Sequence, residues 1–375
     1  MKIKNSGSIE KFNPNVLKNM ILFSIRSKRA FTFQKDIMTF EKESTVYEFI
    51  ANFYLDEVKK IIMTKPAKKY NELTDDLYYV KGKINIKKTV LNTNNRVNCT
   101  FGELSLNNQL NRIVKYILYY LYKDEQLKSN KSLSRKIINE YYFFENVDLV
   151  DVSIKDILGI RLNKDNMNYE TLLLLSRYII GCIKYSENTK EKYIDIDAEL
   201  WWVYQEFIRN YYDYYKEDLH IKNVSPSKYE WNLEPILSAK NEYLPKMRTD
   251  IEVNSLDQYL IIDAKCYENS LLEYYGKKIF HSENLYQVKS YLDVYKMKNQ
   301  ESNKRLRGIL IYPFNHKTTL NAGNNIFYDK DEDYTLEIYT IDFKNDWDKV
   351  CEDLNSIILE KESYDYILRT FKNEN

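Results

Sequence analysis

The chain has 375 residues, enough to bury a sizeable core and to make about two domains. Lys and Arg number 56 against 55 Asp and Glu, a formal net charge of +1, so no global field marks a nucleic-acid partner and any DNA contact must come from local patches or through another protein. With 44% apolar residues, 35 Tyr, 8 Gly and 6 Pro the composition excludes a disordered chain, and the four cysteines, which form no CxxC pair, suggest neither a zinc knuckle nor a disulfide framework.

The opening MKIKNSGSIEKFN has no apolar signal-peptide core, and TLLLLSRYIIGCI, the most apolar later stretch, is cut by Arg177. Neither a leader nor a membrane span is expected, and the cytoplasm is the expected compartment. The N-terminal part alternates short apolar runs with polar turns. In LYYVKGKINIKKTV, Ile84 and Ile86 alternate with Lys and Asn as in a half-buried strand, so this part is expected to be mixed and strand-containing. LNNQLNRIVKYILYYLYKDEQ sets Leu106, Leu110, Ile113, Ile117 and Leu121 near helical spacing, and NYETLLLLSRYIIGCIKYS predicts a second buried helix. The pattern lapses in SENTKEKYIDID, residues 186–197, the expected boundary between an N-terminal region, 1–190, and a C-terminal domain, 191–375.

Beyond it AELWWVYQEFIRNYYDYYKE predicts a helix with Leu200, Val203, Tyr204, Phe207 and Tyr211 on one face. Strands are expected near Ser227 to Asn232, Thr249 to Val253 and Gln258 to Lys265, then a helix from Glu283 to Met297. Strands in GILIYPF and YTLEIYTID and a final helix from Trp347 to Glu360 complete the order. A run of strands followed by a crossover helix to another strand predicts a mixed sheet with helices packed on it, of α+β or α/β class.

Side chains alternate along a strand, so Asp263 and Lys265 share the face of Tyr259 and Ile261, while Leu260, Ile262 and Ala264 point the other way. Burial of both faces accounts for the apolar run, and it leaves an acid at the strand's end that is costly unless paired or bound to a metal. Asp250, on a preceding antiparallel strand, can reach the same spot. Two acids and a lysine around one point suit phosphodiester hydrolysis. Mg²⁺ takes one or two carboxylates besides water and phosphate oxygens, lowers the pKa of a bound water and neutralises charge on the phosphate; Mn²⁺ can stand in its place. The lysine can orient or deprotonate the water, or stabilise the transition state.

The acid-x-Lys triplet occurs three times, at Glu57, Asp263 and Asp342, so the apolar strand and the second acid are what distinguish Asp263. A plain Asp–Lys pair at a strand edge is the competing reading. Glu206, at the margin of its helix's apolar face, can supply a third acid or be a solvated helix residue. Gln287 and Tyr291 share a helix face. Gln287 either holds the water or a backbone phosphate, or is a polar residue at a core margin. The basic stretches KKIIMTKPAKK, from Lys59, and NKRLRG, from Asn303, read as phosphate contacts or as solvated loops. His220, His281 and His316 are scattered, and none is assigned a role.

The series Glu206 in YQEFIRNYY, Asp250 in MRTDIEV, Asp263-Ala264-Lys265 in LIIDAKCY and Gln287 in YQVKSYL resembles the PD-(D/E)XK nuclease core. In particular it resembles McrC, the nuclease subunit of McrBC-type modification-dependent restriction systems. Upstream, VKGKINIKKTV and LSLNNQLNRIVKYIL are similar to that family's glycine-containing strand and its Asn-Arg helix, whereas Thr249 stands where the family commonly has proline. The resemblance implies a mixed α/β adaptor region followed by a restriction-endonuclease-like domain. It implies that Asp250 and Asp263 bind Mg²⁺ together with the carbonyl of Ala264, that Lys265 assists the water, and that Glu206 and Gln287 support them. It further implies cleavage of modified double-stranded DNA, driven by a McrB-like hexameric AAA+ GTPase on which the N-terminal half docks and whose hydrolysis it stimulates. No GxxxxGK[ST] occurs, so the chain is expected to bind no nucleotide and the motor to be another protein. Two other readings stay open: a stand-alone restriction or repair nuclease of the same fold, and a catalytically silent GTPase-activating adaptor.

Overall fold

The computed structural model describes residues 12–25, 45–185, 192–194, 196–231, 233–236, 240–266, 270–299, 302–314 and 325–359. Most of SENTKEKYIDID, Asn232, His316, Glu360 and the side chain of Leu200 lie outside the described residues. By packing, the chain divides into two compact units, one of residues Tyr47–Gly181 and the other of Met1–Val46 with Cys182–Asn375. This division differs from the contiguous split at 190. The reason is α1 (Pro14–Ile25), a helix whose Val16, Leu17, Met20, Ile21 and Phe23 are all buried. Its Phe23 ring packs on Phe207, Tyr211 and Trp347, so the first helix belongs to the C-terminal core.

In the unit Tyr47–Gly181, α2 (Val46–Thr64) leads into β1 (Lys69–Leu77), β2 (Lys83–Ile84), α3 (Ile86–Val90) and β3 (Val97–Ser105). The strands form an antiparallel sheet in the order β1-β3-β2. The half-buried strand expected through Ile84 and Ile86 breaks after Ile84. Asn85 caps α3 there by accepting the Lys88 N–H, and Ile84, Ile86, Val90 and Leu91 are exposed. Helices α4 (Gln109–Lys123), α5 (Glu125–Ser129), α6 (Lys131–Phe143), α7 (Ile154–Leu158) and α8 (Glu170–Cys182) follow, α4 and α8 being the two helices expected here. Asn111 of the Asn-Arg helix is sealed inside. Its Nδ2 donates to the Ala67 and Leu106 carbonyls at 2.9 and 2.7 Å, and its Oδ1 accepts Tyr169 OH at 2.6 Å.

The other unit continues with the hairpin β4 (Ile183–Tyr185) and β5 (Lys192–Ile194), then α9 (Ile196–Tyr214), β6 (Ile221–Ser225), β7 (Lys228–Tyr229) and β8 (Met247–Arg248). After these come β9 (Ile251–Ser255), β10 (Gln258–Ala264), β11 (Leu271–Tyr274), β12 (Lys277–Phe280) and α10 (Ser282–Lys298). The last elements are β13 (Arg305–Pro313), β14 (Asn325–Asp329), β15 (Tyr334–Ile341) and α11 (Trp347–Leu359). Six strands make a mixed sheet, β14-β15-β13-β10-β9-β6, in which β10, β13 and β15 run parallel and the outer neighbours antiparallel. The mixed sheet with helices on it is the architecture the sequence predicts. The strand expected from Ser227 to Asn232 is only the short β7, paired with β8 outside this sheet.

Helices cover both faces, which is why β10 and β13 read as near-continuous apolar runs. On one face α10 packs Val288, Tyr291 and Leu292 against Ile261, Leu310 and Ile338. Gly308 permits that approach, since a Cβ there would stand 2.6 Å from Val288 and Leu292 side-chain atoms. On the other face α9 and α11 pack, with α1 against both of them and Gln258 Nε2 donating to the Ile358 carbonyl of α11 at 3.0 Å.

Candidate active site

The N-terminal end of β9 meets the C-terminal end of β10. Their last paired residues are Ile251 and Ile262, so Asp250 stands just before one strand and Asp263 just past the final pair on the other. Asp263 projects on the face covered by α10, as do Tyr259 and Ile261 of the same strand. The Asp250 carboxyl lies against that of Asp263 and accepts the N–H of Ala264. Lys265 Nζ stands 2.9 Å from Asp263 Oδ2 and donates to Gln287 Oε1 at 3.0 Å. From there Gln287 Nε2 donates to Tyr291 OH at 2.9 Å, and Tyr291 OH to the Arg248 carbonyl at 2.6 Å. The Lys265 N–H is held by the Ile311 carbonyl of β13 at 3.0 Å. Across a planar trans peptide the Ala264 carbonyl points opposite to that N–H, away from β13 and to the side of Asp250. Asp250, Asp263, Ala264, Lys265 and Gln287 are thus brought together.

Asp263 is 1% exposed, and neither of its carboxylate oxygens receives a hydrogen bond, despite the ammonium beside Oδ2. Two ionised carboxylates have no hydrogen to share, so their contact becomes a hydrogen bond only when one is protonated. Burial, then that hydrogen bond and the charge of Asp263, raise the pKa of Asp250 to about 8, against the opposing pull of Lys265 and the Ala264 N–H. Burial also raises Tyr291, with the two acids adding to the effect. A hard divalent cation suits this donor set: two carboxylates whose mutual repulsion it would relieve, a carbonyl aimed to the same side, and an acid short of donors.

Glu206 does not complete a three-acid cluster. It comes from α9, on the opposite face of the sheet, and its carboxylate is bridged to Arg209 within its own helix. Among the described residues no three Asp, Glu, His or Cys side chains gather as a metal site.

Glu252, which the sequence reading passed over, lies two residues after Asp250 on the same strand face. It is 3% exposed, yet saturated. Its Oε1 accepts Tyr229 OH at 2.7 Å and Thr249 Oγ1 at 2.9 Å, and its Oε2 accepts Ser227 Oγ at 2.5 Å and also Tyr259 OH. Four hydroxyls fill the lone-pair positions of the carboxylate and leave none for a metal. Thr249 Oγ1 also accepts the Ser227 N–H at 2.8 Å, and the Thr249 N–H donates to the Ser227 carbonyl at 3.1 Å. Where a proline would stiffen the approach to Asp250, hydrogen bonds do so here. The spacing of acids in DIEV was the available signal.

The basic stretches part company. Arg307 in NKRLRG is buried in a fork with Glu337, which removes it from any phosphate surface, and Lys304 Nζ donates to Asn254 Oδ1 and to the Ser255 carbonyl. Lys68 and Lys69, from KKIIMTKPAKK, line a cleft of about 760 Å³ in the unit Tyr47–Gly181, together with Arg112 and Arg161.

Comparison with known proteins places these residues in a family context. The family model of the McrBC 5-methylcytosine restriction system component matches residues 2–313, a span that includes Asp250, Asp263, Lys265 and Gln287. The type IV methyl-directed restriction enzyme EcoKMcrBC of Escherichia coli (strain K12) is 26% identical over 309 residues, covering 78% of this chain and 82% of its own length. The refined half-complex from a tetradecameric assembly of Thermococcus gammatolerans McrB AAA+ hexamers with bound McrC contains a chain with a TM-score of 0.49 and 12% identity, matched over 91% of this chain and 74% of that one. In the cryo-EM structure of the Thermococcus gammatolerans McrBC complex the corresponding figures are 0.38, 12%, 52% and 56%.

Proposed function

The chain belongs to the McrBC 5-methylcytosine restriction system component family, and from that premise we propose that it is the DNA-cutting subunit of such a system. On this reading its C-terminal unit is a PD-(D/E)XK nuclease that hydrolyses phosphodiesters of modified DNA with Mg²⁺. The motor is a McrB-like AAA+ GTPase whose hydrolysis this chain stimulates. The observation that carries the proposal is the buried contact of Asp250 with Asp263 beside Lys265, an arrangement that costs stability and serves no packing purpose.

Asp250, Asp263 and the Ala264 carbonyl would hold the cation, which lowers the pKa of a bound water and neutralises charge on the phosphate. Lys265 supplies a positive charge that the transition state needs. Gln287 keeps the Lys265 ammonium within reach of Asp263, and Tyr291 in turn holds Gln287, so the lysine is oriented before DNA arrives. The partner reading is supported by the ribbon of β1 and β3, beyond whose paired ends Tyr78, Tyr79, Val80, Ile86, Val90 and Leu91 are exposed. Exposed apolar side chains of this kind suit contact with another protein.

Methylated and unmethylated plasmid should be incubated with Mg²⁺ and wild type or Asp263→Ala, with and without a McrB-like GTPase and GTP. Cleavage by wild type only with partner and GTP, abolished in Asp263→Ala, is the expected result. Cleavage by the lone chain would make it an independent nuclease. Stimulated GTP hydrolysis without cleavage would make it an adaptor.

A further inference from the structure

Between Lys265, at the end of the catalytic strand, and Gln287, on α10, the chain makes a detour into a second ribbon. β11 and β12 pair antiparallel from Leu271 with Phe280 to Tyr274 with Lys277, joined by the two-residue turn Tyr275-Gly276. Both turn residues have positive φ, 49° and 75°, the signature of a type I′ hairpin. The first position of that turn favours Asn, Asp or Gly, because other L-residues are strained in the left-handed region. Here it holds a tyrosine that is 89% exposed, so burial does not offset the strain. Tyr274 is exposed beside it, the two rings meeting edge to face at 4.5 Å.

Residues directly opposite share a ribbon face, so Leu272, Tyr274, Lys277 and Ile279 line one side, all of them exposed. On the other side Phe280 packs on the core that holds Ile261, Val288 and Tyr291 and meets Phe327 edge to face. The ribbon is therefore rooted at the start of α10, Phe280 lying two residues before the helix that carries Gln287. Its strands, four residues long, carry the tip about 13 Å from that root.

We propose that this hairpin enters a groove of duplex DNA next to the scissile phosphate, with Tyr275 against bases or sugars and Lys277 against the phosphate backbone. The inference rests on the nuclease reading above. A two-stranded ribbon fits the major groove of B-DNA, about 12 Å wide. Lys277, on the ribbon's exposed face and on the strand that returns from the aromatic tip, favours a polyanion over an apolar protein groove.

The decisive variant is Tyr275→Asn, which suits the turn better than the native residue. Duplex affinity of the full chain is measured by fluorescence anisotropy in Ca²⁺, cleavage in Mg²⁺ with the GTPase and GTP, and the melting temperature in parallel. The expected result is a melting temperature higher by about 1–2 °C together with affinity about tenfold weaker and slower cleavage. Lys277→Ala should weaken binding and reduce the salt dependence by about one counterion. If wild type cuts and Tyr275→Asn binds and cuts equally well, the hairpin inference falls and the nuclease reading survives. Loss of GTPase binding at unchanged duplex affinity would also overturn it, by making the ribbon a protein contact. Duplex binding that depends on Tyr275, in a wild type that never cuts, would leave the DNA contact standing and remove the nuclease reading.

Discussion

Glu337 and Asp263 are both acids sealed inside the six-stranded sheet, 0% and 1% exposed, and each stands beside a cation. Their surroundings differ in kind. Glu337 receives a fork from Arg307 at 2.8 and 2.6 Å and the hydroxyls of Thr335 and Tyr339, while Arg307 spends its remaining donors on Gln258 and the Ile357 carbonyl. Burial alone would raise the pKa of Glu337, and the guanidinium with its hydrogen bonds outweighs that and lowers it. Asp263 has a second acid against it and a single ammonium beside it. One region has used up its bonding capacity and stabilises the fold. The other keeps capacity in reserve, and the fold bears the cost.

The contrast can be broken by exchanging outcomes. Arg307→Met leaves Glu337 buried and unpaired, and chemical denaturation should show a loss of about 3–5 kcal/mol. A loss below about 1 kcal/mol would show that the network is not holding the sheet. Asp263→Asn should lower cleavage by about 10²–10³-fold, about 3–4 kcal/mol in the barrier, yet leave the chelated, metal-free protein as stable as wild type or more so. Destabilisation like that of the Arg307 variant would make Asp263 a structural residue.

Proton binding should separate the two regions by sign. An unfolded Asp titrates near 3.9, and Asp250 in the folded chain near 8, so between those values the native state holds a proton that the unfolded state releases. Metal-free stability should therefore decline as pH rises through that window, and Asp250→Asn should flatten the decline. Glu337 acts oppositely. Its contribution is present above the unfolded pKa of about 4.3 and is lost as acid reaches its lowered folded value. Melting curves from about pH 3 to 9 would show whether the two limbs respond to different variants. The smallest effect is expected from Thr249→Val, about 1–2 kcal/mol of stability with slower cleavage, since the hydroxyl's bond to Glu252 and its acceptance of the Ser227 N–H are both lost. Unaltered cleavage there would mean that Thr249 does not fix the approach to Asp250.

Periodicity made the sheet legible. The runs YLIIDAK and GILIYPF needed only alternation and burial on both faces to be read as central strands, and the position of Asp263 followed. Asp250 and Gln287 followed from elements on either side of them. The pairing of Glu206 with Arg209 was not legible, because a helix margin can lean either way and only the packed neighbours decide. The hydroxyl shell of Glu252 was hidden for another reason: Ser227 and Tyr229 come from a separate ribbon, at a sequence distance that no local pattern records. The β11–β12 hairpin carries Tyr-Gly at its turn in place of the Asn-Gly that announces such turns, and the isolated α1 gave no sign that its core lay at the other end of the chain.

The parallel pairing of β10 with β13 also sets an order of assembly. Asp250 and Asp263 leave the ribosome before residues 305–313, whose strand pins the Lys265 N–H through the Ile311 carbonyl. α1 waits longer still, for Phe207 and then Trp347. Such distant contacts close late and slowly. A nascent chain therefore carries its acids well before it can hold them in place, and the cell that synthesises it is exposed to the finished site only when nearly the whole C-terminal sheet exists.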